Sequence, residues 1–253
     1  MTARGRARRS ILAMLVLVAT GCGDEPVVVA FGDSTTTWRG PETNWVLLLR
    51  EELEVQGRPV EWVDAGVSSD TTELARERLW WDVLRHRPDV TVIQFGINDA
   101  LVRVDTDPPS TSPRVDIERY EANLRHLIER VRAWGSDVIL MTPNPLRWSE
   151  YTRAHYSAPP YRPEEPRGMN VLLDDYAEVV RRVAGDERVE LVDVQRMFEA
   201  AGEGGGPGVA ALLRDGVHPN DRAYRLIADG LHPVLSRMLR VGRPSSGDAR
   251  REP

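Results

Sequence analysis

A single doubly wound α/β domain, five parallel strands with helices on both faces, is the fold this sequence predicts. Three observations carry the prediction. Short β-branched runs alternate with longer segments of helical periodicity, the pattern of strands joined by crossover helices. The chain has 253 residues, enough for one ordinary α/β domain and too few for two. Its 41% hydrophobic and 28% charged content is that of a globular body in water, and no apolar run reaches the length that spans a bilayer.

The expected strands are residues 27–31, 60–63, 90–95, 138–142 and 189–192, each β-branched and apolar. Trp45–Val55 reads as a helix closed by Gly57, and 72–84 as a second. Ile117, Tyr120, Leu124, Leu127, Ile128 and Val131 recur at helical spacing until Gly135 stops them. Residues 170–184 fit a fourth helix, and a fifth follows Asn220, with Asn220 or Asp221 placed to cap it. This alternation suits a flavodoxin-like sheet, in which ligands sit beyond the carboxyl ends of the strands. Two connections, 98–116 and 143–168, are longer than usual, which on such a scaffold marks loops that shape a site. The second is rich in Pro, Arg and aromatics (Trp148, Tyr151, Tyr156, Tyr161). It reads either as a polar wall of a substrate cleft or as a surface excursion pinned by its prolines.

The first residues read as a targeting segment rather than as part of the fold. Arg4 to Arg9 form a basic region, Ile11 to Ala19 a short apolar one, and Ala19-Thr20-Gly21-Cys22 a small-residue cleavage site. The run resembles a bacterial lipoprotein signal, which implies export and lipidation of Cys22; secretion to the periplasm or medium with a free Cys22 thiol is the alternative. The expected organisation is therefore a signal peptide over 1–21, a short tether over 22–26, the domain over 27–240 and a polar, disordered tail over 241–253. All 33 cationic side chains are Arg. Loss of Arg4, Arg6, Arg8 and Arg9 with the signal takes the formal charge from −6 to −10, which argues against a nucleic-acid partner. The five His and single Cys show no metal-ligand spacing, so neither metal nor cofactor is expected.

Residues just after successive strands of a parallel sheet share one edge. Here they are Gly32-Asp33-Ser34, Asp64-Ala65-Gly66, Gly96-Ile97-Asn98-Asp99 and Asp215-Gly216-Val217-His218-Pro219. A hydroxyl, backbone N–H groups, a side-chain amide and a carboxylate/imidazole pair thus converge. Taken singly, each has a plain structural reading: Ser34 a helix cap, Gly66 and Asn98-Asp99 turns, 215–219 a capping turn. In this order the four blocks resemble those of the SGNH (GDSL) hydrolases, over about residues 27–239. The second block departs from the family's frequent Asn-x-Gly and later Gly, with Asp64 and Ser69 in those places.

The resemblance implies an ester hydrolase with Ser34 as nucleophile, His218 as base and Asp215 orienting it, and an oxyanion hole of the Ser34 and Gly66 N–H groups and the Asn98 amide. A hydroxyl needs such a base at neutral pH, and a developing oxyanion needs fixed donors. Export and a polar cleft wall point to short acyl groups on carbohydrate or another polar alcohol, with lysophospholipid or thioester as the runner-up. Two readings of other kinds stay open: a flavin protein using Ser34 to Thr37 as a phosphate cradle, and a non-catalytic sugar-binding lipoprotein on the same fold. The pattern Asp-Gly-x-His-Pro recurs at 229–233. Helical spacing from Ala223 to Met238 places this second copy inside the last helix, with Asp229 and His232 turned to solvent.

Overall fold

The structure, a computed structural model, describes residues 25–37, 43–108, 110–203 and 208–240. The expected signal segment, Cys22 and the tail from 241 lie outside them. Strands β1 (Val27–Gly32), β2 (Glu61–Gly66), β3 (Val90–Gln94), β4 (Asp137–Met141) and β5 (Glu190–Val192) form one sheet in the order β2-β1-β3-β4-β5. Every pairing is parallel, as expected. The winding reverses between β1 and β3, the point at which ligands bind beyond the strand ends in sheets of this kind.

The helices are α1 (Trp45–Val55), α2 (Thr72–Asp82), α3 (Ile97–Ala100), α4 (Ile117–Ala133), α5 (Glu150–Tyr156), α6 (Leu173–Glu187), α7 (Val194–Ala200) and α8 (Asp221–Arg240). Alternate residues of β1 enter two separate cores. Val29 and Phe31 lie with Leu79 of α2, Leu124 of α4 and Val180 of α6; Val28 and Ala30 lie with Leu49 of α1, Phe198 of α7 and Leu231 of α8. A strand covered on both faces must be apolar at consecutive positions, which is why β1 reads Val-Val-Val-Ala-Phe. Full burial of each Val or Phe is worth about 1.5–3 kcal/mol.

The boundaries moved where side chains intervene. β2 runs on to Gly66 because its pairing continues to Gly32. α2 stops at Asp82, and residues Leu84–His86 form a separate 3-10 turn. α6 begins at Leu173 rather than 170 because Asn170 is engaged with the long loop: its amide oxygen accepts from the Leu146 N–H at 2.7 Å and its Nδ2 donates to the Leu146 carbonyl at 2.8 Å. Asn220, not Asp221, caps α8, accepting from the Ala223 N–H at 3.2 Å. The short helices α3, α5 and α7 were not expected; at four to seven residues they are shorter than the window over which periodicity shows.

The 143–168 loop is correspondingly more built than a polar wall. Tyr156 and Tyr161 are buried against each other, ring centres 5.4 Å apart, and the Tyr161 hydroxyl accepts from the Val102 N–H at 3.1 Å. Trp148 Nε1 donates to the Glu165 carbonyl at 2.8 Å. These three rings fasten the loop to itself and to the other long connection, and only Tyr151 among the four aromatics is broadly exposed.

Candidate active site

Ser34 stands at the tip of a turn that follows β1. The Thr36 and Thr37 N–H groups donate to the Asp33 carbonyl at 3.2 and 3.3 Å. The Thr35 N–H and hydroxyl both donate to Asp33 Oδ1 at 2.8 Å. Among the described residues Ser34 caps no helix, and the next one described, α1, is capped by Asn44. The same bonds remove the phosphate-cradle reading, since the Thr35 amide and hydroxyl it needs face the buried carboxyl group of Asp33, and the Thr36 and Thr37 amides face its backbone carbonyl.

Ser34 Oγ lies 3.0 Å from His218 Nε2, and His218 Nδ1 lies 2.7 Å from Asp215 Oδ2. Asp215 Oδ1 accepts from the Val217 and His218 N–H groups at 3.0 and 2.8 Å. Partial burial pushes the Asp215 carboxyl up, but the bonds from the His218 ring and the two amides, with the charge of the ring, outweigh it and hold the group well below the usual carboxylate range. An ionised Asp215 keeps the proton of His218 on Nδ1, which leaves Nε2 free to accept from Ser34.

The turn bearing Asp215 and His218 is fixed by the long loop. Gly216 takes φ +87°, and a Cβ there would meet the Arg147 carbonyl oxygen at 2.4 Å. The Arg147 N–H donates to the Gly216 carbonyl at 2.9 Å, Asn144 Nδ2 to the Val217 carbonyl at 3.0 Å and Ser149 Oγ to the Asp215 carbonyl at 2.5 Å. A cavity of about 310 Å³ adjoins this loop at Arg147, lined also by Trp148, Arg153 and Glu165.

Asn98, in α3, is buried, with its Nδ2 3.4 Å from Asp33 Oδ2; its amide thus reaches the residue next to Ser34. Gly66 ends β2 directly beside Gly32. Its N–H donates to Asp64 Oδ1 at 3.0 Å, and a Cβ would meet the Thr37 nitrogen at 2.5 Å. The glycine is therefore required by the close backbone of Thr37, a different reason from open approach of substrate.

Three features of the site escaped the sequence reading. Burial raises Asp33 to about 6 and Asp99 to about 7, and Asp99 Oδ1 accepts from the Thr72 N–H and hydroxyl at 2.9 and 2.5 Å. Arg78 grips both strand ends, donating to the Gly32 carbonyl at 3.0 Å and the Ala65 carbonyl at 2.8 Å. The Asn144, Arg147 and Ser149 contacts are the third. Asp33 and Asp99 stood inside the quoted motifs; Arg78 and the loop residues carry no local signal. Among the described residues no group of three or more His, Cys, Asp or Glu is arranged to hold a metal ion.

The second Asp-Gly-x-His-Pro lies within α8 as expected, with Asp229 exposed. His232 is half-buried rather than turned to water, 3.2 Å from Gln56 Nε2 just beyond α1, far down the helix from the strand ends.

A model of the GDSL-like lipase/acylhydrolase family matches residues 30–226. The chain is 31% identical over 244 residues to the uncharacterized lipoprotein YqeF of Bacillus subtilis, covering 87% of this chain and 95% of that one. It is 30% identical over 166 residues to an acetylxylan esterase of Geobacillus stearothermophilus, covering 66% and 68% respectively. The crystal structure of Axe2, an acetylxylan esterase from Geobacillus stearothermophilus, superposes with a TM-score of 0.66 at 25% identity over 85% of this chain and 95% of that one.

Proposed function

The chain belongs to the GDSL-like lipase/acylhydrolase family and is a carboxylic ester hydrolase of GDSL type, and from that premise we propose that it acts through an acyl-enzyme on Ser34, removing short, acetyl-like acyl groups from carbohydrate or another polar alcohol. The observation that carries the reading is the unbroken chain Ser34 Oγ to His218 Nε2, 3.0 Å, and His218 Nδ1 to Asp215 Oδ2, 2.7 Å. Ser34 Oγ attacks the ester carbonyl carbon while its proton passes to His218 Nε2, and Asp215 stabilises the imidazolium. The carbonyl oxygen becomes an oxyanion held by the Ser34 N–H, the Asn98 amide and the Gly66 N–H, which exchanges Asp64 for it. The carbon–oxygen bond to the alcohol breaks and His218 returns its proton to the leaving oxygen. Water, deprotonated by the same ring, then releases the acid and restores Ser34.

The acetylxylan esterase relative supports an acetylated carbohydrate as substrate. A serine-directed organophosphonate should label wild type and not Ser34→Ala. In a nitrophenyl ester series, acetyl and propionyl esters should be turned over best, with acetylated xylooligosaccharides as substrates. Activity climbing steadily past about eight acyl carbons would instead place the protein among lysophospholipid or thioester hydrolases, since each buried methylene in an apolar groove contributes about 0.8 kcal/mol.

The same proposal includes export and a lipid anchor on Cys22. The basic, apolar and small-residue order of the first 22 residues supports it, as does a relative named as a lipoprotein. Among the described residues no helix is long and apolar enough to cross a membrane.

A further inference from the structure

In a parallel sheet wound by helices, one edge collects the strand ends and the other collects the strand starts and helix ends. Ser34 and Asn98 follow the ends of β1 and β3, and Gly66 is the last residue of β2. At the opposite edge α1, α2 and α4 finish, and there the surface is unexpectedly aromatic. Trp81 is 62% exposed, Trp80 43% and Trp134 39%, and Val55 is 83% exposed. Trp80 and Trp81 lie in the last turn of α2, Val55 ends α1 and Trp134 follows α4 as its cap. The Trp80 and Trp134 rings meet edge to face with centres 5.0 Å apart, so these two form one patch, with Trp81 the next residue along α2. Scattered single apolar residues need no explanation, but clustered indoles on a folded surface mark a contact face.

The cations around the patch are arginines. Arg85 stacks over Trp81 at 5.9 Å, and Arg87, Arg130 and Arg132 are exposed beside it. The acids Asp82, Asp89, Glu129 and Asp137 stand among them, Asp82 paired with Arg78 at 2.9 Å. The chain also enters the fold here: Cys22 stands five residues ahead of Val27, a reach of at most about 18 Å.

We propose that this edge, carrying Trp80, Trp81, Trp134 and Val55 with Arg85 and Arg87, is a lipid-facing surface that seats the protein on an anionic bilayer with its catalytic edge turned away. Indole rings settle at the headgroup level because they are apolar bodies with one polar donor, and guanidinium groups bind the phosphates beside them. The rings and arginines act with or without acyl chains; only the tether rests on the Cys22 reading. β1, six residues long, separates the two edges by about 20 Å. An active site held that far above the headgroups serves polar esters in the surrounding space rather than lipids in the bilayer beneath it.

The test uses the full chain with Cys22→Ser, which cannot be acylated, and sedimentation with vesicles of phosphatidylcholine alone or mixed with phosphatidylglycerol. Binding to the anionic vesicles is expected, falling as salt rises, with tryptophan fluorescence quenched by brominated lipid. A Trp80→Ala/Trp81→Ala variant should bind at least tenfold more weakly, and Arg85→Glu/Arg87→Glu should do likewise, while both keep wild-type turnover of a soluble nitrophenyl ester. No anionic-vesicle binding, unaltered binding by the variants, or a dimer that the tryptophan substitutions dissolve would each overturn the proposal. Because acylation plays no part in this experiment, its failure is separable from failure of the anchor.

Discussion

Ser149 Oγ donates to the Asp215 carbonyl oxygen at 2.5 Å, so a residue of the long loop holds the backbone of the turn whose side chains reach Ser34. Removal of that bond leaves the His218 ring in place but less restrained. Ser149→Ala should lower kcat by about tenfold with KM nearly unchanged, as expected for lost positioning. Ser149→Thr should recover most of it. A loss confined to KM would show that the loop touches substrate and does not brace the turn.

His218 and His232 occupy the same pattern and separate cleanly in the structure. His218→Ala should lose at least about a thousandfold in kcat/KM, because removing the base disables the whole serine unit. His232→Ala, which loses contacts with Gln56 and Ser236 alone, both far from Ser34, should stay within about twofold of wild type. The reverse ranking in steady-state kinetics would end the assignment of Asp215.

Asn98→Ala tests the oxyanion proposal, with an expected loss of roughly a hundred- to a thousandfold in kcat and little change in KM. Substrate binds before charge develops, so only the chemical step should suffer. Activity within about threefold of wild type would reduce Asn98 to a packing partner of Asp33.

Asp99 gives stability a pH dependence. Burial raises its carboxyl to about 7, against about 3.9 in the unfolded chain. Between about pH 4 and 7 the folded protein keeps a proton that the unfolded chain has released, so stability falls as pH rises through this window and stays lower above it. Asp33, raised by burial to about 6, acts in the same sense. Asp99 Oδ2 is buried without a hydrogen-bond partner, so Asp99→Asn loses no acceptor that is in use. Its urea midpoint should exceed wild type at pH 8 and approach it at pH 5. Equal displacement at both pH values would refute the ionisation account.

Cys22→Ala addresses the anchor. Wild type should fractionate with membranes in an exporting host and carry acyl chains by mass spectrometry, several of which are needed for durable attachment. The variant should move to the soluble exported fraction. An unmodified thiol in soluble wild-type protein would dispose of lipidation.

The convergence of Ser34 and Asn98 was legible because topology decides it: residues that follow parallel strands share an edge whatever their side chains. Asp215 and His218 were expected directly after the fifth strand, but α7 and a 3-10 turn at Val209–Leu212 stand between β5 and their turn, which the long loop brings to the same edge. The sheet was legible for a similar reason, since the double burial of β1 writes itself as an apolar run. What escaped depends on contacts between distant segments. Arg78 reaches two carbonyls from within a helix otherwise rich in charge. Tyr156 and Tyr161 turned inward because they found each other and Val102, and aromatics in an aperiodic loop give no sign of which way they face. The need for glycine at 66 is likewise a fact about Thr37.

The two glycines of the repeated pentapeptide record how differently one spelling is used. At Gly216 the chain turns through φ +87° against the fixed carbonyl of Arg147, and no side chain fits without moving backbone. At Gly230 the obstacle is the tip of Met197, whose Cε would stand 2.4 Å from a new Cβ, and a methionine tip swings aside at little expense. Drift over generations should therefore leave position 216 fixed while position 230 wanders among small residues, so that descendants of this chain would come to display the pattern once, at the copy facing Ser34.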